Sequence, residues 1–279
     1  LKQLTVRGYL EINDADIASL AGRYAPAHPV LLDPSVCRLI LHTSGSSGDP
    51  KMISKTLVQL DAELSTLESL WGEAITGCSV LATVPQHHIY GLLFRLLWPL
   101  AAGRPFDRCT CANTQQLAER IDCFPDHVLV SSPSHLTRFP RLMEFGDWKP
   151  RPRMLFSSGG PLPAETAGIY RQELGNVPVE IFGSTETGGI AWRHHQGGPD
   201  DDAWTPLPGV CVNRDSDNAL LLDSPFLLHR NWRMDDAISL LGDGRFRLEG
   251  RLDRIIKLEG KRLALPEMER RLEGHPWVV

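Results

Sequence analysis

The sequence predicts an α/β fold: a parallel β-sheet with crossover helices, an antiparallel β region, and the start of a small C-terminal α+β subdomain. Three observations carry this reading. Up to about residue 183, short apolar runs alternate with amphipathic stretches, the rhythm of repeated βαβ units. Residues 189–252 then hold short strands with polar turns, among them Gly242-Asp243-Gly244 between two alternating runs, a hairpin signal. From residue 253 the order is strand, turn and helix, and the chain stops at Val279.

The elements follow in order. "CRLILHT" (37–43) reads as a buried strand running into a glycine-rich loop. Leu57, Leu60, Leu64, Leu67 and Trp71 recur at helical spacing and predict a helix over 55–73. "SVLATV" (79–84) is a strand, and 90–101 a helix ending near Gly103. "HVLVSS" (127–132) is a strand followed by a helix from Ser134 to Met143. "RMLFSSG" (153–159) and "VPVEIFG" (177–183) are strands flanking a helix from Pro163 to Gly175. Beyond them "IAWRH", "VCVNRD", "NALLLDS" and "AISLLGDGRFRLEG" read as antiparallel β packed beside the α/β core.

Composition narrows the function classes. The 279 residues are 42% hydrophobic and 23% charged, with a formal net charge of -5. An acidic balance of this kind lacks the basic footprint of a nucleic-acid binder. No apolar run reaches the ~20 residues of a membrane span; "IYGLLFRLLWPLAAG" is broken by Arg95 and Pro99. Residues 1–10 lack the apolar core and cleavage site expected of a signal peptide, and the first residue is Leu1 rather than methionine. The six cysteines are scattered without a disulfide framework, which predicts reduced thiols and a cytoplasmic location. Cys109 and Cys111 lack zinc-knuckle spacing. His87–His88 and His194–His195 are read as non-metal pairs, since neighbours on a strand point to opposite faces; a polar surface patch accounts for the second pair.

The stretch "HTSGSSGDPK" (42–51) is almost free of bulky side chains. After a buried strand, its successive N–H groups make an anion cradle. Thr43, Ser44, Ser46 and Ser47 add hydroxyls, Lys51 adds a mobile cation, and Gly45 and Gly48 permit close approach by a phosphate. On composition alone a flexible linker is an equal alternative. The Walker phosphate loop is excluded: Asp49 and Pro50 separate Gly48 from Lys51, and no Ser or Thr follows the lysine.

The loop resembles the T-S-G-[ST]-[ST]-G-x-P-K segment of the AMP-forming adenylating ligases, the superfamily of acyl- and aryl-CoA synthetases, luciferases and adenylation domains. Further motifs follow in the family's order: "QHHIYGL" (86–92), "SSGGPLPAE" (157–165), "IFGSTETG" (181–188), and the stretch from Asp235 through "GRLDRIIKLEGKR" to "LPEME". Together they cover about residues 41–273.

The resemblance implies ATP-dependent activation of a carboxylic acid to an acyl-adenylate with pyrophosphate release. Thioester transfer to coenzyme A or to the phosphopantetheine of an acyl carrier protein follows. It implies that the 43–48 loop and Lys51 hold the β- and γ-phosphates. Thr185 is expected to hydrogen-bond the α-phosphate, and Glu186 to hold Mg²⁺. Adenine is expected on Phe182, with Ser158, Gly159, Gly160, Gly183 and Ser184 lining the nucleotide and acyl site. Asp236 and Arg251 are expected at the ribose. His88 is expected where carboxylate meets α-phosphate, with Tyr90 reaching into the acyl pocket beside Gly159 and Gly160. Outside the family, the Thr185–Glu186 pair reads as a helix N-cap and Phe182 as a core aromatic.

The same resemblance divides the chain into a partial AMP-binding domain, 1–252, and a hinge with the start of a lid subdomain, 253–279, with Asp253 as the hinge. It implies truncation at both ends: the N-terminal portion is short, and the family's catalytic lysine has no counterpart before Val279. Met234–Asp235–Asp236 stands where the family has T-G-D. The compact layout is most similar to ligases of aryl-polyene pigment clusters, which implies an aromatic hydroxy acid as substrate and a carrier protein as partner. A fatty-acid–CoA ligase and a non-catalytic nucleotide- or acyl-binding remnant are the alternatives.

Overall fold

The computed structural model describes residues 2–4, 9–11, 33–43, 51–143, 145, 148–252, 255–258, 261–264 and 272. A short hairpin joins β1 (Lys2–Leu4) to β2 (Tyr9–Glu11). β3 (Arg38–Thr43) and β4 (Lys51–Thr56) form a second two-stranded antiparallel hairpin, in register from Arg38↔Thr56 to Thr43↔Lys51. The sequence reading made β3 a buried strand. Instead Arg38, Ile40 and His42 are exposed and only Leu41 is buried, because β3 pairs with β4 alone among the described residues and has one face in solvent.

Helix α1 (Leu57–Trp71) follows at once. Its N-cap Thr56 accepts from the Gln59 N–H while the Gln59 side chain accepts from Thr56 N–H, a capping box that satisfies orphan donors of the first turn. Strands β5 (Ser79–Ala82), β6 (Phe106–Thr110), β7 (His127–Ser131), β8 (Leu155–Ser158) and β9 (Val179–Ser184) are parallel. The segments between them are helical. α2 runs from Ile89–Gly91 through a π turn, Leu92–Leu97, to Trp98–Ala101. α3 is Thr114–Cys123, α4 is Pro133–Leu142, and α5 is Ala164–Leu174, closed by Gly175 in the left-handed conformation at φ 67°.

Period-2 alternation divides the strand residues between two cores. Val80, Ala82, Val128, Val130 and Phe156 face α1 and α2, meeting Leu60, Leu67, Trp71, Phe94 and Trp98. Leu81, Leu129 and Leu155 face α3, α4 and α5, meeting Leu117, Leu136, Phe139 and Tyr170. Helices thus cover both faces of the parallel sheet, as burial of both strand faces requires.

The antiparallel strands extend this sheet rather than packing beside it, which corrects the sequence reading. β9 pairs antiparallel with β10 (Gly188–Arg193), and the order continues through β11 (Ala203–Pro206) and β15 (Phe246–Arg251) to β14 (Trp232–Leu240), β13 (Ala219–Asp223) and β12 (Cys211–Arg214). The result is one sheet of 11 strands. Its register at β10–β11 puts Ala191 opposite Pro206, so backbone bonding leaves no seam there. β16 (Ile255–Leu258) and β17 (Lys261–Ala264) form a separate hairpin. No described helix is long and apolar enough to cross a membrane, and the six cysteines are free thiols.

Candidate active site

A cleft of about 420 Å³ opens at the carboxyl ends of the parallel strands, between the β8 and β9 termini and the start of α2. Ligands of open α/β sheets occupy this edge. His88, Tyr90, Ser158, Gly159, Gly183, Ser184 and Thr185 line it, all singled out by the sequence. Its apolar walls are Val84, Ile89, Leu93, Phe94 and Ile181.

Each polar group is fixed by local structure. His88 is the residue before α2 and lies against His87, with ring centroids 4.3 Å apart and planes tilted by 52°. The pair sits in a turn, not on a strand, so the expectation of opposite faces does not hold. Burial, and then the charge of His87, hold the His88 imidazole below its ordinary value. Tyr90 faces the cleft with its hydroxyl buried and without an aligned hydrogen-bond partner among the described residues. Burial pushes the phenol well above its ordinary value, and the nearby Ser131 backbone only tempers this. Ser158 Oγ donates to the Ile181 carbonyl at 2.8 Å, tying the ends of β8 and β9 together. Gly159 turns out of β8 at φ 90°, a conformation that side chains resist.

Thr185 and Glu186 occupy the tight turn between β9 and β10, not a helix N-terminus. Ser184 and Thr187 clasp the turn: the Ser184 N–H donates to Thr187 Oγ1 at 3.1 Å, and the Thr187 N–H to Ser184 Oγ at 3.2 Å. Gly183 lies opposite Gly189 across the hairpin, and a Cβ on it would strike the Gly188 carbonyl. Phe182 is half-buried against Trp204 and Phe246, at centroid distances of 5.5 and 6.3 Å, and stands outside the cleft walls. Asp236 and Arg251 lie directly opposite each other on β14 and β15. They, Lys51 and Gly160 also stand outside those walls. Lys51 opens β4 opposite Thr43, so these two bracket residues 44–50; Ser44, Gly45, Ser46, Ser47 and Gly48 lie outside the described residues, as does Asp253.

The sequence reading missed a buried polar set on and before α1. Lys55 Nζ donates to the Glu186 carbonyl at 2.7 Å and to the Phe226 carbonyl at 3.1 Å. Gln59 Nε2 donates to the same Phe226 carbonyl at 2.8 Å. Glu63 Oε1 accepts from the Gly189 N–H at 2.6 Å, and Glu63 lines the cleft. Thus α1 grips the Thr185 turn from behind. Burial lowers the Lys55 ammonium, with Glu63 and Glu186 opposing. Burial pushes the Glu63 carboxyl up to about 7, against the Gly189 N–H and Lys55. A signal was present: Glu63 follows Leu60 by three and precedes Leu67 by four, which places it on the buried stripe.

Arg95, inside the π turn, was read only as a break in an apolar run. It donates to the Val84 carbonyl, Gln86, Thr110 and the Arg108 carbonyl, and so anchors the segment leading to His88. His195, expected on the surface, is buried with Nε2 2.7 Å from Glu180 Oε1. Burial pushes Glu180 up, but His195, Arg193 and the Leu162 N–H outweigh it and hold it below the usual carboxylate range.

Glu63 carries a stability prediction. It keeps its proton to about pH 7 in the folded chain but only to about 4.5 when unfolded. Between those values the folded state binds more protons, so unfolding free energy falls as pH rises, by up to ~3 kcal/mol. Urea midpoints at pH 5 and pH 8 should converge between wild type and Glu63→Gln at the acid end and separate in the variant's favour at the alkaline end. An identical difference at both pH values would refute this assignment.

Among the described residues, no group of three or more His, Cys, Asp or Glu is placed to hold a metal. Glu186 sits beside Thr185 on the β9–β10 turn and outside the cleft walls; a cation at that turn would need phosphate and water oxygens besides this carboxylate. That donor set suits Mg²⁺, which keeps several waters and binds through one or two carboxylates plus phosphates.

A sequence model of the family described as AMP-binding enzyme matches residues 4–222. The 4-coumarate–CoA ligase of Rhodobacter capsulatus is 31% identical over 241 residues, covering 86% of this chain and 58% of that protein. The mitochondrial malonate–CoA ligase ACSF3 of Mus musculus is 26% identical over 207 residues, covering 68% of this chain and 35% of that protein. ATP-bound MatB from Rhodopseudomonas palustris superposes with a TM-score of 0.70 at 23% identity, over 86% of this chain and 53% of that one. The chain therefore spans about half the length of the curated coumarate ligases it matches, 58% and 54% of them.

Proposed function

The chain belongs to the AMP-binding enzyme family, and from that premise we propose that it serves the ATP-dependent activation of a carboxylic acid. The acyl-adenylate and pyrophosphate form first, and the acyl group then passes to the thiol of coenzyme A or of a carrier-protein phosphopantetheine. One observation carries the reading: the cleft gathers His88, Tyr90, Ser158 and Thr185 beside the apolar walls of Val84, Ile89, Leu93, Phe94 and Ile181 at the carboxyl edge of the sheet.

In this reading the acid's apolar body lies against Tyr90, Phe94 and Ile181, and its carboxylate approaches His88 and Thr185. Burial and His87 hold the His88 imidazole below its ordinary value, which favours orienting the carboxylate by hydrogen bonding over trapping it as an ion pair. Thr185, on a clasped turn, donates to the α-phosphate; a donor fixed in advance stabilises the charge that develops there. The 43–48 loop with Lys51 takes the β- and γ-phosphates. Phe182 faces adenine, and Asp236 with Arg251 holds the ribose. Mg²⁺, held by Glu186 when bound, offsets the phosphate charge. Asp253 is the hinge of the lid.

An aromatic hydroxy acid, and a carrier protein as acceptor, are the finer parts of the proposal. The relatives named 4-coumarate–CoA ligases and the open space over Gly159, where an added Cβ would meet nothing within 4 Å, favour a flat ring. A fatty acid is the second reading, favoured by the apolar walls alone. ATP–pyrophosphate exchange on the complete gene product tests both. 4-Hydroxybenzoate or 4-hydroxycinnamate should stimulate exchange at least ~10-fold more than a medium-chain fatty acid. A reversed order selects the second reading, and no exchange with any acid leaves a non-catalytic binding module.

A further inference from the structure

Glu63 is the only carboxylate among the described residues lining the cleft, and no lysine or arginine lines it. The residue is 2% exposed. Its Oε1 is committed to the Gly189 N–H, while nothing described donates to Oε2. Oε2 lies against Gly188, where a Cβ would collide with it; Gly188 has φ 75°. The glycine therefore leaves room that the second oxygen fills at the cleft wall. Lys55, the cation behind it, spends its ammonium on the Glu186 and Phe226 carbonyls.

Holding the Gly189 N–H does not require a carboxylate. An amide oxygen accepts the same bond, without the cost of burying a charge. Once ionised, a buried acid with one unclaimed oxygen at a cleft wall is an acceptor waiting for a donor. We infer that Glu63 is a specificity-determining residue, whose Oε2 accepts from a hydroxyl or amino group on the body of the acid and rejects a second carboxylate. Above about pH 7, where Glu63 gives up its proton, a diacid would bring a like charge to it in low dielectric, with no cationic side chain in the described lining to offset it. A phenolic or anilino donor would instead complete the hydrogen bonding of a buried oxygen. This inference rests on the acid-activating reading of the cleft and names the class of acid it takes.

Direct binding separates the two. Calorimetric titration of the complete protein at pH 8, where Glu63 is ionised, with 4-hydroxybenzoate and with benzene-1,4-dicarboxylate needs no ATP and no turnover. Wild type should bind the hydroxy acid at least about tenfold more tightly, and Glu63→Gln should shrink that ratio to about threefold or less. Glu63→Ala serves if the glutamine variant does not fold, and the wild-type ratio stands independently of either. Equal wild-type affinities, a ratio that the variants leave unmoved, or binding of neither acid overturns the inference. With the ratios as expected and no acid-stimulated pyrophosphate exchange, the adenylation reading falls while the assignment of Glu63 stands.

Discussion

Gly183→Ala should reduce acid-dependent ATP–pyrophosphate exchange at least ~100-fold, because it displaces the turn that presents Thr185. The added Cβ would meet the Gly188 carbonyl and, at 3.0 Å, the Gly189 Cα. Both are backbone atoms of the paired strand, in register with Ser184 and Gly183, so no side-chain rotation relieves the collision. The hairpin must part, and with it the Ser184–Thr187 clasp and the Gly189 N–H bond to Glu63. Thermal unfolding reports the same damage: a loss of about 2–3 kcal/mol corresponds to a drop in Tm of roughly 5–10 °C. Wild-type exchange together with wild-type Tm would show that the β9–β10 hairpin is not packed this tightly.

Trp71→Ala should cost about 3–5 kcal/mol of stability, the range for deleting a large buried aromatic. Trp71 is 6% exposed and closes the last turn of α1. Its ring meets Phe156 of β8 at 5.3 Å and Trp192 of β10 at 6.0 Å, both edge-on, and Phe94 and Trp98 of α2 at 6.5 Å. One side chain thus links the parallel strands, the antiparallel strands and both helices that cover this face. Urea denaturation measures the loss. A change below about 1 kcal/mol would mean that the cluster repacks around the void, contrary to the interlocked ring geometry.

Parts of the sheet that are buried on both faces were legible in the sequence. "SVLATV", "HVLVSS" and "RMLFSSG" are continuous apolar runs because helices cover both faces of β5, β7 and β8. β6 escaped notice because it is the edge strand: "FDRCT" buries only Asp107 fully, so it carries no apolar run. α3, "TQQLAERIDC", buries only Leu117 and Ile121, too little to register as a stripe. β3 misled in the opposite direction. Its "LIL" core reads as buried, yet its partner is β4, which begins at Lys51, and a two-stranded hairpin leaves one face wet.

The cleft was legible where chemistry sits in short ordered motifs. His88, Ser158 and Thr185 were found by their neighbours in sequence, and the fold places them on one cleft. Glu63, Lys55 and Arg95 act at a distance from those motifs. Lys55 reaches 131 positions along the chain to Glu186, and Glu63 reaches 126 to Gly189. No local pattern encodes such pairings; only a charged residue on an apolar helix stripe hints at them.

The unbroken sheet has a mechanical consequence. β9, which carries the cleft, and β15, which carries Arg251, belong to the same plate, separated by three strand steps. At about 4.8 Å per step, that spacing is ruled by backbone hydrogen bonds rather than by the side chains that line the cleft. The cleft walls can therefore be repainted by substitution at positions such as Glu63 or Tyr90 while the Asp236–Arg251 pair keeps its station. A scaffold of this kind separates what is accepted from where the two ends of the work surface lie.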